Sequence, residues 1–477
     1  MDKSDKSIEI VFSDVANVNQ SGSTLYDSNE PELSSSNYIS SITTLLNNTI
    51  GITILLMPKL FYISGIIFGT IQLLIISLVH FISAYMLCWA GNIFGLKSYF
   101  EIGEKIFKGK KKYIVHFFYL SMLIGTILCY QTFVLKSLGE TARHLFFPQL
   151  EQHSFHYTAL NLFICVVTNI MILPFLFITQ LKRLKILMKM CTCAIFASVF
   201  MIIIIYLFPD IISLKIIPAV EKDISYFRFE GIYTSLGVYM LSYCYHLIVV
   251  DVNYEVRPKN SRTSKIVILS NSLLAFTLYF IVSLLGYLTV YEEKKKLRSL
   301  DNFLVFLIVA KNNNSFLLHL TSILITISVL FGNIMNYVPL IRFINSKLNF
   351  VDTTLSSKIL KDLNLESSQN EYELTNEEYE ANYMRVYRFI VICIFLVILL
   401  LVSSIIIFNI RLDVVFNLVS AICTAPVCII LPSIFYLFLL RRDYFKNTGG
   451  LDYLSVYFVM IVGFLIWIYS LYGLFKI

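Results

Sequence analysis

The sequence predicts an all-α polytopic membrane protein, and three observations carry that prediction. Of the 477 residues, 57% are hydrophobic and only 14% charged, and the mean hydropathy of +0.73 is more apolar surface than a soluble core could hide. The apolar residues fall into eleven runs, each close to the roughly 20 residues that an α-helix needs to cross a bilayer. Two of those runs are interrupted midway by glycine and small polar residues, as in proteins that keep a binding site inside the membrane.

Residues 1–36 are rich in Ser, Asp, Asn and Lys and hold no helix-length apolar run, so they read as a disordered tail, with the first span acting as insertion signal. The runs lie near 39–62, 66–90, 113–138, 158–178, 184–208, 229–250, 265–290, 316–343, 386–409, 413–440 and 453–475. Residues 300–311 are apolar but too short to span and read as a re-entrant or interfacial helix; a twelfth span there is the alternative. Lysine and arginine gather at Lys108–Lys112, Lys182–Lys185, Arg257–Lys265 and Arg441–Arg442, all on one side if the amino terminus is cytoplasmic. The positive-inside rule therefore puts the amino terminus inside and, with an odd number of spans, the carboxyl terminus outside or in a lumen; Lys294–Lys296 is the exception. This topology accounts for the net charge of +7 without nucleic acid as a partner. Residues 346–384, with an acidic stretch from Glu371 to Glu380, read as a cytoplasmic loop, and Asn313-Asn314-Ser315 as a sequon on the outer face. Another sequon, Asn19-Gln20-Ser21, would stay bare in the cytoplasmic tail. All nine cysteines sit in apolar runs, where they behave as small hydrophobes, and no Cys/His ligand spacing occurs along the chain, so neither disulfide, metal nor cofactor is expected.

The first run is the pivot of the chain. Thr43 to Pro58 contains Asn47, Asn48, Thr49, Gly51 and Thr53 in its middle, residues that weaken or compete with the helical ladder, with Ile52 among them. Lipid cannot satisfy loosened backbone groups, so such a stretch must line a protein cavity, and half-helix ends at that depth suit a charged solute. A tilted helix with its polar residues packed on neighbours is the plainer alternative. The sixth run matches it, with Gly237, Ser242, Tyr243 and His246 inside Gly231–His246. If spans one to five (39–208) form one unit, five is odd and spans six to ten (229–440) are its inverted repeat, leaving 453–475 as an extra helix. His246 is ionisable at mid-membrane, and Asp251 and Glu255 follow on the same helix, which favours protons over sodium as coupling ion. A histidine bonded to a helix carbonyl and a solvated acidic helix end are the competing explanations. His144, His153 and His156 read as scattered residues of a wet outer loop.

Asn47 followed by Gly51-Ile52-Thr53-Ile54-Leu55 and Pro58 resembles the first-helix motif of the amino acid/auxin permease family, an asparagine four residues before Gly-x-Gly-(I/V)-L-x-x-Pro. Ser242-Tyr243-Cys244-Tyr245-His246 with Glu255 and Arg257 downstream is similar to that family's aromatic-x-Cys-His segment and its glutamate. Leu285–Thr289 resembles the Gly-Tyr-Leu-Thr ending of span seven, Gly125 to Tyr130 the span-three motif, and Pro432 agrees in span ten. The resemblance implies a leucine-transporter-type fold of two inverted five-helix repeats plus one helix, moving an amino acid substrate by alternating access. It adds Tyr130 to the substrate site of Asn47, Asn48, Thr49, Gly51, Ile52, Thr53, Ser242, Tyr243 and His246. It also implies that Asn47 could hold sodium with a span-eight hydroxyl, Thr326 or Ser328 being candidates and Thr321 and Ser322 further ones. Thr53 replaces the motif's second glycine, and Tyr245 separates Cys244 from His246. A non-transporting sensor of the same fold is one alternative. A membrane acyltransferase, suggested by the His246-x4-Asp251 spacing, is another, weakened by the apolar helix around it.

Overall fold

A computed structural model describes residues 38–151, 154–178, 181–208, 226–256, 261–290, 316–347, 376–410, 412–441 and 450–474. The tail 1–36, residues 300–311, Lys294–Lys296, the Asn313 sequon and most of the loop 346–384 lie outside them. Among the described residues the chain is helical throughout, and eleven spans emerge if the broken first pair is taken as one.

Span one is α1 (Tyr38–Ile50), a 3₁₀ stretch over Ile52–Leu56 and α2 (Met57–Ser64), with α1 and the remainder bent by 42°. The bend falls at Gly51, and Pro58 in the first turn of α2 needs no backbone donor there. Span two is α3 (Ile66–Phe94), closed by Gly95 in the left-handed conformation at φ 63°. A short amphipathic helix, α4 (Tyr99–Ile106), leads to span three, α5 (Lys112–Phe146). Spans four and five are α6 (Phe155–Leu176), capped by the Ser154 hydroxyl, and α7 (Leu181–Leu207). Span six is again two pieces, α8 (Ile232–Ser242) and α9 (His246–Glu255). Span seven is α10 (Ser261–Val290), and span eight runs from α11 (Phe316–Gly332) to Lys347. Span nine is α12 (Asn376–Ile407), and span eleven α15 (Gly450–Leu474). Span ten is less regular: α13 (Leu412–Val419) passes through π-helical turns over Ser420–Thr424 and Pro426–Ile430 before α14 (Leu431–Arg441). Pro426 removes a ladder donor there, and a widened turn is one way a helix absorbs that loss.

Burial separates centre from rim. In span six 94% of the apolar window is buried, against 22% in span eleven and 28% in span nine. The exposed Ile71, Leu74, Ile75 and Leu78 recur at helical spacing on α3 and form its lipid-facing stripe. The packing of spans is also ordered: many pairs recur when span n is exchanged for span n+5. Two packs on seven, three on eight, and four on nine, each pair its own counterpart. One packs on five as six packs on ten, one on seven as six on two, and three on ten as eight on five. Two on ten is likewise matched by seven on five.

Candidate functional site

The site begins at Gly51. Its backbone, at φ −4° and ψ −128°, breaks the ladder, and a β-carbon there would run into the Tyr130 ring, with Cζ at 2.6 Å. The last four carbonyls of a helix have no partner further along it. Two of these in α1 are met by tyrosines from other spans. Tyr130 Oη on span three donates to Asn48 O at 3.0 Å, and Tyr279 Oη on span seven lies 2.6 Å from Thr49 O. Tyr279 Oη is also 3.0 Å from Ser242 O, the end of α8, and 2.9 Å from Thr53 Oγ1. A phenol has one proton to give, so Tyr279 serves one carbonyl at a time while accepting from Thr53. One side chain thus touches both interrupted helices. Asn48 Nδ2 reaches from the first break to Cys244 O in the second at 3.4 Å.

The two breaks therefore lie side by side. Around them gather Asn48, Thr49, Gly51, Thr53, Tyr130, Ser242 and Tyr243, with Ile52 buried among them. The Ser242 hydroxyl itself turns back to Val238 O at 2.7 Å, and Thr49 Oγ1 to Leu45 O at 2.7 Å, where it also accepts from Asn271 Nδ2 at 3.1 Å. The Ser242 hydroxyl thus stays within its own helix, while its carbonyl, like both the carbonyl and the hydroxyl of Thr49, faces span seven. The Tyr243 ring stands edge-on to Tyr279, 5.5 Å between centroids.

Other predicted residues have different surroundings. Asn47 donates through Nδ2 to Met188 Sδ at 3.2 Å, its Oδ1 is buried without a partner, and the span-eight residue against it is Gly332. Thr326 is bonded to Ser137 at 2.7 Å and Ser328 donates to Cys191 O at 2.8 Å, so neither hydroxyl is directed at Asn47. Ser322 likewise faces Ser137 and Thr141, and Thr321 its own helix. His246 points away from the first break toward span two, where Nε2 meets Ser83 Oγ at 2.9 Å and the ring lies against His80 at 5.1 Å. Asp251 pairs with Arg342 of span eight, and Glu255 with Lys185 of span five at 3.0 Å. His246 and Asp251 thus have separate partners, unlike an acyltransferase dyad.

Sequence reasoning missed Tyr279, Asn271, His80 and Ser83. Polar residues in the middle of apolar spans are the signal that marks them. His80, His246 and Cys428 bring ligand atoms within 4.8 Å of one another from spans two, six and ten, a grouping that no spacing along the chain displays.

A bundle of eleven apolar spans with two broken helices meeting at a buried polar centre defines a multi-pass membrane protein of the transporter class. The model of the transmembrane amino acid transporter protein family matches residues 34–476, nearly the whole chain, and the chain belongs to that family. No curated individual protein matches it. Membership establishes amino acid transport as the general activity, with an amino acid as substrate and the bilayer as environment.

Proposed function

We propose that the chain is a secondary active transporter that carries neutral or cationic amino acids by alternating access, driven by protons. The observation that carries this reading is the junction of two broken helices under Tyr279. The helix ends that meet there can receive the carboxylate and ammonium of an amino acid in exchange for their contacts to Tyr130, Tyr279 and Asn48. The side chains that bond the first break to the second and to spans three and seven are amides, hydroxyls and phenols, and among the described residues no lysine or arginine takes part in those bonds. The paired contacts of spans n and n+5 support two five-span repeats, inverted by parity, with span eleven as the addition.

Protons are favoured over sodium because Asn47 faces Gly332 and Met188, while Thr326 and Ser328 are engaged elsewhere. The proposed carrier is Asp251, buried, paired with Arg342, and close to Glu101 and Glu255. Around that end of the bundle, Glu255–Lys185, Glu104–Lys347 and Glu104–His116 also link separate elements. The basic clusters Lys108–Lys112 and Lys182–Lys185 adjoin these pairs, so the positive-inside rule makes this the cytoplasmic end. The pairs latch the inner gate, and a proton on Asp251 cancels its attraction to Arg342. Uptake of radiolabelled amino acids into proteoliposomes under imposed proton or sodium gradients tests the reading. Accumulation driven by the proton gradient is expected; a requirement for sodium with indifference to pH removes proton coupling, and binding without uptake makes the chain a sensor.

A further inference from the structure

We infer that His80, His246, Cys244 and Cys428 form a Zn²⁺-binding site between spans two, six and ten. Each of the two imidazoles has one ring nitrogen in a hydrogen bond and the other without one. His80 Nδ1 donates to the carbonyl of Tyr243 at 2.9 Å, so its Nε2 is a bare lone pair. Ser83 Oγ lies 3.1 Å from His80 O and 2.9 Å from His246 Nε2; in the tautomer in which His246 Nε2–H donates to Ser83 Oγ and the Ser83 hydroxyl to His80 O, Nδ1 of His246 is bare. Both bare nitrogens are buried without a hydrogen-bond partner, in residues with no exposed surface. Unpartnered buried lone pairs call for an explanation, and a bound ion is one.

The other ligands are sulfur. Cys428 supplies the third atom of the group within 4.8 Å; Cys244 Sγ is not in that group but lies 3.5 Å from Cys428 Sγ, and it completes the set by shifting toward the histidines. Two sulfurs on a tetrahedral zinc with bonds near 2.3 Å stand about 3.8 Å apart, so the pair needs little movement. A His₂Cys₂ set suits zinc, and each histidine has the outer hydrogen bond that orients metal-bound imidazoles. Charge also selects the ion: Zn²⁺ displaces one proton from each thiol, two protons leave, and the complex of two thiolates, two neutral imidazoles and the metal carries no net charge. That is the form a membrane interior accepts.

Cys244 lies within the break of span six and His246 opens α9 directly after it. Bound zinc therefore braces the break against spans two and ten and stops the cycle in one state. The assignment does not depend on which solute the chain carries. Its test is Co²⁺ binding to the purified, reduced full-length protein, read by thiolate-to-cobalt charge-transfer absorption and by displacement with Zn²⁺. One Co²⁺ per chain with that absorption is expected, weakened by at least about tenfold in Cys428→Ser and in His80→Gln. In proteoliposomes, Zn²⁺ should inhibit the wild-type protein and spare Cys428→Ser. Absence of the charge-transfer band, or undiminished binding in both variants, overturns the site, whereas failure of uptake in every sample at normal Co²⁺ binding bears on the transport reading alone.

Discussion

Gly51 shows how one residue serves two needs. The break requires a backbone that leaves the ladder, and the approach of Tyr130 leaves no room for a β-carbon. Gly51→Val should displace Tyr130 from Asn48 O and abolish substrate binding while the protein still reaches its membrane, because the lipid-facing surface is untouched. Titration of purified protein with radiolabelled amino acid checks this; unchanged affinity in a well-expressed variant removes the stretch from the site. Gly51→Ala makes the same overlap on a smaller scale and should weaken binding too, rather than only lowering expression as a mere helix-packing glycine would. Tyr279→Phe tests the neighbouring contact. It removes the hydroxyl shared by Thr49 O, Ser242 O and Thr53, leaving a buried carbonyl short of a donor at about 1–3 kcal/mol. A rise in KM of about tenfold or more follows, with folding retained because the ring stays; an unchanged KM would place the substrate elsewhere.

At the scale of elements, the sequence resolves what depends on contiguous residues. Spans are legible because bilayer thickness fixes the length of an apolar run, and the observed windows, such as Phe155–Leu176 against the expected 158–178, differ only at their ends. The break in span one is legible because Asn47 to Thr53 concentrate poor helix formers. The break in span six is less so: Gly237 and Ser242 lie within α8, and the interruption falls at Tyr243–Tyr245, residues with no special aversion to helices. Tertiary contacts make it, through His80 on Tyr243 O and Asn48 on Cys244 O. The π-helical turns of span ten, which hold Pro426, were not legible in the sequence. Residue partners across spans were the least legible, since Asn47 carries no mark in the sequence that it faces Gly332 and Met188. Orientation is open to direct measurement at this scale. A cysteine placed at Lys110, in the basic link between α4 and α5, should be shielded from an impermeant thiol reagent outside the cell or in the lumen, and labelling there would reverse the assigned topology.

For the molecule as a whole, the proposed alternating access requires that the two ends of the bundle never open together, and the ion pairs at one end are the proposed means. Asp251 on span six and Arg342 on span eight join the half expected to tilt with the broken helices to the half that packs spans three, four, eight and nine together. The carboxylate is almost wholly buried and the guanidinium partly exposed, so the pair is stronger than a surface bridge, yet each member alone is costly. Asp251→Asn keeps shape and removes the charge that a proton would neutralise. The variant should behave as if permanently protonated: it exchanges amino acid across the membrane but does not accumulate it under a proton gradient, with accumulation reduced by about tenfold or more. Arg342→Gln leaves the carboxylate without its partner and should open the inner gate by the same route. Cysteines introduced near Lys185 would then react faster with a reagent trapped inside the vesicle. The double variant Asp251→Asn/Arg342→Gln should accumulate no less than either single change, because each single change already removes the Asp251–Arg342 pair. Proton-driven accumulation at the wild-type level in Asp251→Asn would show that the coupling proton binds elsewhere, and an additive double variant would show that the two residues act independently.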